Sequence, residues 1–365
     1  MAGIYVHIPF CKSRCVYCGF YSTTQLDVRG RYVDAVCREW HLRRSYINNE
    51  RVHTIYVGGG TPSQLDAAHL RQLFATLGTA QEVTLECNPD DVTPQFADLL
   101  SELPVNRVSM GVQSFSDEHL RFARRRHTSG QVHEAVSRLR QAGIGNVSID
   151  LMYGFPGETL DDWHRDVDEA VSLRVEHLSA YALMYEEGTP LYRLLEAGQV
   201  SECDEELSRQ MYYLLKDTLA AAGYEHYEIS NFARPGFRSR HNSSYWNATP
   251  YIGLGAAAHS FDGSSRQWNV ADVGRYMAGI ERGEPYFERE VLDAATRYNE
   301  RVMTALRTCE GLPLAVLTDA QRAYCLSAAA KYVADGLLLH EEGHLRLSRR
   351  GLFVSDMIMS DLMLV

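Results

Sequence analysis

The chain has 365 residues, 45% of them hydrophobic, which suits one domain of about 200 to 250 residues plus a smaller one. Its 47 acidic against 36 basic residues give a formal charge of −11, which argues against general affinity for nucleic acid or anionic lipid. No run of about twenty apolar residues and no basic leader with an apolar segment is present, so the chain reads as cytoplasmic, with reduced thiols.

The predicted strands are Gly3–Ile8, Val52–Val57, Glu82–Glu86, Arg107–Gly111, Asn146–Met152, His177–Leu183 and Glu225–Ile229. Amphipathic stretches fall between them, notably Arg29–Tyr46, Ala67–Leu77, Thr128–Ala142 and Thr159–Leu173. This alternation predicts successive βα units and a full or partial (β/α) barrel over residues 1–235. Ligand chemistry then belongs at the C-terminal ends of the strands. After Arg234-Pro235-Gly236 the pattern changes, and residues 236–365 read as a second domain. A polar, aromatic loop, His241-Asn242-Ser243-Ser244-Tyr245-Trp246, comes first. Helices near Ala294–Thr308 and Asp319–Asp335, a hairpin over Leu337–Ser348 and a helix over Gly351–Met363 make a winged-helix-like module. The acidic balance makes this a substrate-handling or partner-docking cap, with no nucleic acid partner.

Three of the eight cysteines, Cys11, Cys15 and Cys18, crowd into the end of the first strand. The other five are scattered without ligand-like spacing and read as buried or partly buried free thiols. Iron–sulfur clusters take thiolate ligands, and a cubane usually needs four. The C-x3-C-x2-C spacing supplies three, leaving one iron open to a small molecule. A closed zinc site would want a second cysteine pair, which the sequence lacks. His7, a potential fourth ligand, lies inside the predicted strand.

Gly58-Gly59-Gly60-Thr61-Pro62 follows the second strand, where bare backbone can approach a ligand closely. Glu86 ends the third strand, and a charge buried there needs a cationic or hydroxyl partner. Gln113 occupies the matching position after the fourth. Arg125 sits in the basic run Arg124-Arg125-Arg126-His127, ordinarily a solvated face, though one arginine reaching a ligand carboxylate is ordinary recognition chemistry. Asp150 lies among apolar neighbours, where a ribose hydroxyl would suit it.

The cysteine pattern at the end of a first strand resembles the signature of the radical S-adenosylmethionine superfamily. Tyr5-x-His7-Ile8-Pro9-Phe10-Cys11, Gly58–Pro62, Gly111–Phe115, Asp150–Gly157 and Tyr251-Ile252-Gly253-Leu254-Gly255 narrow the resemblance to the oxygen-independent coproporphyrinogen III oxidase family. The resemblance implies a [4Fe–4S] cluster on Cys11, Cys15 and Cys18. It also implies S-adenosylmethionine held around Tyr5, Tyr17, Gly59, Gly60, Thr61, Glu86, Gln113, Arg125, Asp150 and Ala182.

Two departures point away from the oxidase itself. Phe20 stands where the dehydrogenase has a fourth cysteine, and only three residues precede Ile4. Both resemble the sister branch of heme chaperones. The run from His241 to Trp246 matches the H-N-x-x-Y-W motif associated there with heme, making His241 a heme candidate. Imidazole is a good axial ligand, and the aromatics can pack on a macrocycle. His259 is a weaker candidate. The branch implies heme, heme-accepting respiratory proteins and an electron donor as partners, with membrane contact only through the acceptors. The competing expectation is a coproporphyrinogen III dehydrogenase of porphyrin biosynthesis, forming protoporphyrinogen IX. A third is radical chemistry on heme itself.

Overall fold

The computed structural model describes residues 1–48 and 50–364. Among these, twelve strands form one sheet: β1 (Ala2–Ile8), β2 (Val52–Gly59), β3 (Glu82–Cys87), β4 (Arg107–Gln113), β5 (Asn146–Tyr153), β6 (His177–Ala182), β7 (Glu225–Glu228), β8 (Asn231–Ala233), β9 (Tyr251–Leu254), β10 (His259–Phe261), β11 (Ser265–Asn269) and β12 (Phe287–Val291). β1 to β6 run parallel in sequence order, and β9 joins β1 in parallel on its far side. Sequential parallel strands with one crossover hand curl the sheet and place the helices outside it. The curl stays open, with β7 and β12 as its edges, so the fold is a partial barrel.

Strand composition follows from this curl. Ile4, Val6 and Ile8 of β1 and Ile55 and Val57 of β2 belong to the main core. The alternate residues Tyr5, His7, Thr54 and Tyr56 stand on the opposite, inner face of these strands. The inner face is therefore polar and aromatic, while the outer face carries the apolar load.

The expected helices form where local signals converge. Leu160–Ser172 starts at a reciprocal cap between Thr159 and Asp162, and Ser129–Gln141 at one between Thr128 and Gln131. Arg29–Arg43 is shorter than expected, and the chain tightens into a narrower helical turn over Arg44–Ile47.

Other expectations are corrected. His241–Trp246 is not a loop: Arg240–Trp246 is helical, with Ser239 accepting from the Asn242 amide as its cap. Residues 251–291, assigned from sequence to the C-terminal domain, extend the main sheet by four strands. These strands are only three to five residues long, too short for their periodicity to carry a signal. Cys309 is exposed, against the expectation of a buried or partly buried thiol, whereas Cys37, Cys87 and Cys325 are buried and Cys203 partly so.

A second core gathers Tyr298, Val302, Leu306, Leu314, Cys325 and Ile358 among others. Helices Ala294–Leu306, Asp319–Ala334 and Ser355–Asp361 surround a small sheet of β13 (Leu312–Pro313), β14 (Leu338–Glu341) and β15 (His344–Leu347). The buried Glu228 at the edge of the main sheet forms an ion pair with Arg307 (2.9 Å), which ties the second core to it.

Candidate iron–sulfur and cofactor site

The loop after β1 carries the three cysteines. Cys11 is buried, its Sγ 3.5 Å from Thr61 Oγ1, while Cys15 and Cys18 are partly exposed. Burial first, and the Cys15 charge after it, pushes the Cys11 and Cys18 thiols up. Arg125 Nη1 approaches Cys15 Sγ at 3.4 Å, and its other arm donates to Asn88 Oδ1 (2.6 Å) and the Gly111 carbonyl. This arginine leaves the solvated face expected for its cluster and turns into the site. Arg126 pairs instead with Asp90 and Asp91. Tyr17 packs beside Val16, Met152, Phe155 and Leu183, next to the Cys15 and Arg125 charges.

The loop is held by a residue that sequence reasoning missed. Asp91 accepts from Ser63 Oγ (2.8 Å), Gln64 Nε2 (2.7 Å) and Arg126 Nη2 (3.1 Å), and pairs with Lys12 (3.5 Å). One buried carboxylate thus joins the cysteine loop, the glycine loop and the arginine run. Only the Asn88-Pro89-Asp90 turn hinted at it.

The glycine loop also brings the ends of two strands together. Gly59 has φ of +111°, and a Cβ there would stand 2.5 Å from His7 Nδ1; one at Gly60 would meet the Pro9 backbone at 2.8 Å. These glycines let β2 close against the end of β1. The Gly59 amide donates to Glu86 Oε2 (3.0 Å) and the Gly60 amide to the Ile8 carbonyl (2.8 Å).

Glu86 finds its expected hydroxyl partner in Tyr56, whose OH donates at 2.6 Å. Burial pushes the Glu86 carboxyl up to about 7, partly offset by the Tyr56 bond and raised further by Asp150. Asp150, on the same inner face, is pushed up to about 6 by burial against an offsetting Ser179 hydroxyl. Tyr5 bonds His7 Nδ1 (3.0 Å), and His7 Nε2 is engaged by the Tyr21 carbonyl (2.9 Å), so His7 is not positioned as a fourth metal ligand. Gln113 ends β4 at φ +71° beside a register shift. A left-handed non-glycine residue at a strand end is a local strain of the kind that clusters at functional sites. Ala182 is the exposed last residue of β6.

Three thiols on one loop, none of the other five cysteines sharing it, and a guanidinium beside them suit a cubane with an open iron better than a closed zinc site.

His241 lies on the inner face behind Tyr5 and Tyr56. It is 1% exposed, with Nδ1 bonded to Thr54 Oγ1 (2.8 Å) and Nε2 to the Tyr245 hydroxyl (2.9 Å), and its ring is stacked with Tyr5 and Tyr56. Burial, then the Arg107 charge, lowers it to about 3, so it is neutral. Arg107, also missed from sequence, is buried in the barrel with its Nε and Nη1 unpartnered among the described residues.

A family model for the radical SAM superfamily matches residues 5–170, and one for the HemN C-terminal domain matches 292–354. The heme chaperone HemW of Mycobacterium tuberculosis is 37% identical over 99% of this chain and 94% of its own length. The chain belongs to the HemW family. HemW of Bacillus subtilis is 35% identical over 86% of this chain and 85% of its own. Membership in the radical SAM superfamily implies an iron–sulfur cluster and S-adenosylmethionine. Among solved structures, the coproporphyrinogen III oxidase of Escherichia coli superposes with a TM-score of 0.85 over 99% of this chain and 89% of that one. At 22% identity it shows the shared fold alone.

The raised carboxyls make a testable prediction. A carboxyl whose folded pKa is raised stabilises the fold fully below its unfolded value, and that contribution is lost as pH rises through the folded one. Glu86 and Asp150 thus work against stability as pH passes about 6 to 7. The buried His127 and His241, both lowered to about 3, act in the opposite sense, losing stability as pH falls through 6.5. Comparing urea midpoints of wild type and Glu86→Gln isolates the first effect. Wild type is expected to weaken relative to the variant between pH 5 and 8, and a difference independent of pH would contradict the burial of this carboxyl.

Proposed function

We infer that this chain binds heme and passes it to heme-dependent acceptor proteins, using a [4Fe–4S] cluster on Cys11, Cys15 and Cys18. The observation that carries this reading is similarity over nearly the whole chain to heme chaperones, with Phe20, 72% exposed, where the oxidase pattern has a fourth cysteine. S-adenosylmethionine is assigned to the mouth formed by Tyr5, Tyr17, Gly59, Gly60, Thr61, Glu86, Gln113, Arg125, Asp150 and Ala182. Bound there, cluster and S-adenosylmethionine supply one-electron chemistry. The residues orient them: Arg125 beside Cys15, Thr61 beside Cys11, and the Glu86–Tyr56 pair along the inner wall.

Partners in this reading are respiratory heme proteins and an external electron donor. Unpaired thiols throughout fit the cytoplasm. No helix among the described residues is long and apolar enough to cross a membrane. We place the boundary between the two units near residue 292, where the second core and the C-terminal family match begin.

Heme iron needs a free imidazole nitrogen. The motif residue His241 has both nitrogens engaged and would have to leave Thr54 and Tyr245 to serve. His259 is exposed on β10, its ring stacked with Trp268 at 6.2 Å, on the strand face opposite the buried Ser260. His259→Ala is therefore expected to weaken heme binding about tenfold or more and to change the heme absorption spectrum. His241→Ala should chiefly lower thermal stability. The test of the function itself is anaerobic: cluster-loaded protein with S-adenosylmethionine, a strong reductant and coproporphyrinogen III. Sustained protoporphyrinogen IX with 5′-deoxyadenosine would sink the chaperone reading. Absence of porphyrin product, with transfer of bound heme to an apo-acceptor, is the expected outcome.

A further inference from the structure

Apart from the cysteine loop, one group of three metal-ligating residues gathers among the described residues. His119, Glu158 and Asp166 each bring one donor atom, and these atoms lie within 4.8 Å of one another. The group joins helix Asp117–Phe122, the segment after β5 and helix Leu160–Ser172.

The two carboxylates are each only 4% exposed. Glu158 Oε2 accepts from the Gly154 and Phe155 amides (2.6 and 2.9 Å), whereas its Oε1 is buried with no hydrogen-bond partner. Asp166 accepts from Ser114 Oγ and from the Phe115 amide (2.5 and 3.0 Å). The His119 ring lies flat against Phe155, 4.8 Å between centroids at 14°. Its Nδ1 stands 3.4 Å from Ser114 Oγ, and its Nε2 makes no hydrogen bond among the described residues. Neither carboxylate forms an ion pair there, and the neighbouring Arg165 pairs with Asp162 instead.

Two buried acids without a counter-charge are costly. Glu158 Oε1 is thus an orphaned acceptor in the same group as a second buried carboxylate. A divalent cation supplies both the missing charge and a partner for the orphaned lone pair. One imidazole and two carboxylates suit Mn2+, Fe2+ or Zn2+. A cavity of about 510 Å3, lined by Phe115, Ser129, His133, Arg165 and Asp166 among others, adjoins the group and gives an ion its route.

The geometry assigns to His119, Glu158 and Asp166 a divalent transition-metal site that clamps helix Asp117–Phe122 to the segment Gly154–Glu158 and helix Leu160–Ser172. It is separate from the cluster and independent of the heme reading. Its role is positioning, holding two rims of the barrel mouth in register.

The test uses full-length protein with its cluster reconstituted, so that Cys11, Cys15 and Cys18 are occupied. Mn2+ is titrated anaerobically while the electron paramagnetic resonance signal of free Mn2+ and the melting temperature are followed. Wild type is expected to bind one equivalent and to melt higher with Mn2+ present. His119→Ala and Glu158→Gln should each bind at least about tenfold more weakly and lose that rise. Circular dichroism checks folding, and if Glu158→Gln fails to fold, His119→Ala, the half-buried ring, decides. No saturable binding by wild type, or variants that bind as tightly as wild type, overturns the proposal.

Discussion

Replacing Glu39 by alanine is expected to destabilise the fold by about 3 to 5 kcal/mol, the cost of breaking a buried ion pair from one side. Glu39 is fully buried on helix Arg29–Arg43. Its Oε2 accepts from the Gly255 amide (2.8 Å) and Tyr276 OH (2.6 Å), and its Oε1 accepts from Asn269 Nδ2 (2.9 Å) and pairs with Arg43. Arg43 in turn donates to the Gly253 carbonyl (3.3 Å) and Ser260 Oγ (3.1 Å). Alanine leaves a guanidinium, an amide and a phenol buried without their acceptor. Because this network holds β9 beside β1, the cysteine loop should loosen as well. Denaturant unfolding measures the effect, and a loss below about 1 kcal/mol would mean that water replaces the carboxylate.

The second large effect concerns the cluster. Cys11→Ala is expected to remove nearly all bound iron and acid-labile sulfide, because two thiolates cannot hold a cubane that already lacks one protein ligand. Cys37 and Cys87 lie in the main core and Cys325 in the second, so none of these three can replace it. Cys37→Ala serves as the control and should retain the cluster. A Cys11→Ala protein with a full cluster would refute the ligand assignment.

Much of the site was legible because its signals are local. The spacing of Cys11, Cys15 and Cys18 within one loop states its own chemistry. Glu86 and Gln113 fall near the C-terminal ends of β3 and β4, which lie one and two residues beyond the ends expected for those strands. The reciprocal caps at Thr128 and Thr159 marked their helices within four residues. Arg125 was read as ambiguous, and only its turn toward Cys15 and Asn88 settled its direction.

What the sequence by itself determined is the run of βα units and the donor set of the cysteine loop, since periodicity and ligand spacing are properties of a few consecutive residues. Tertiary structure alone decided the rest. Glu39 meets Gly255, Tyr276 and Asn269 across more than two hundred residues, and Asp91 joins three loops. His241, polar and motif-bearing, turns inward because Thr54 and Tyr245 satisfy both nitrogens and aromatic rings cover its faces. A buried polar group is stable only where distant partners complete its hydrogen bonds, and nothing in its immediate neighbours along the chain records which partners those are.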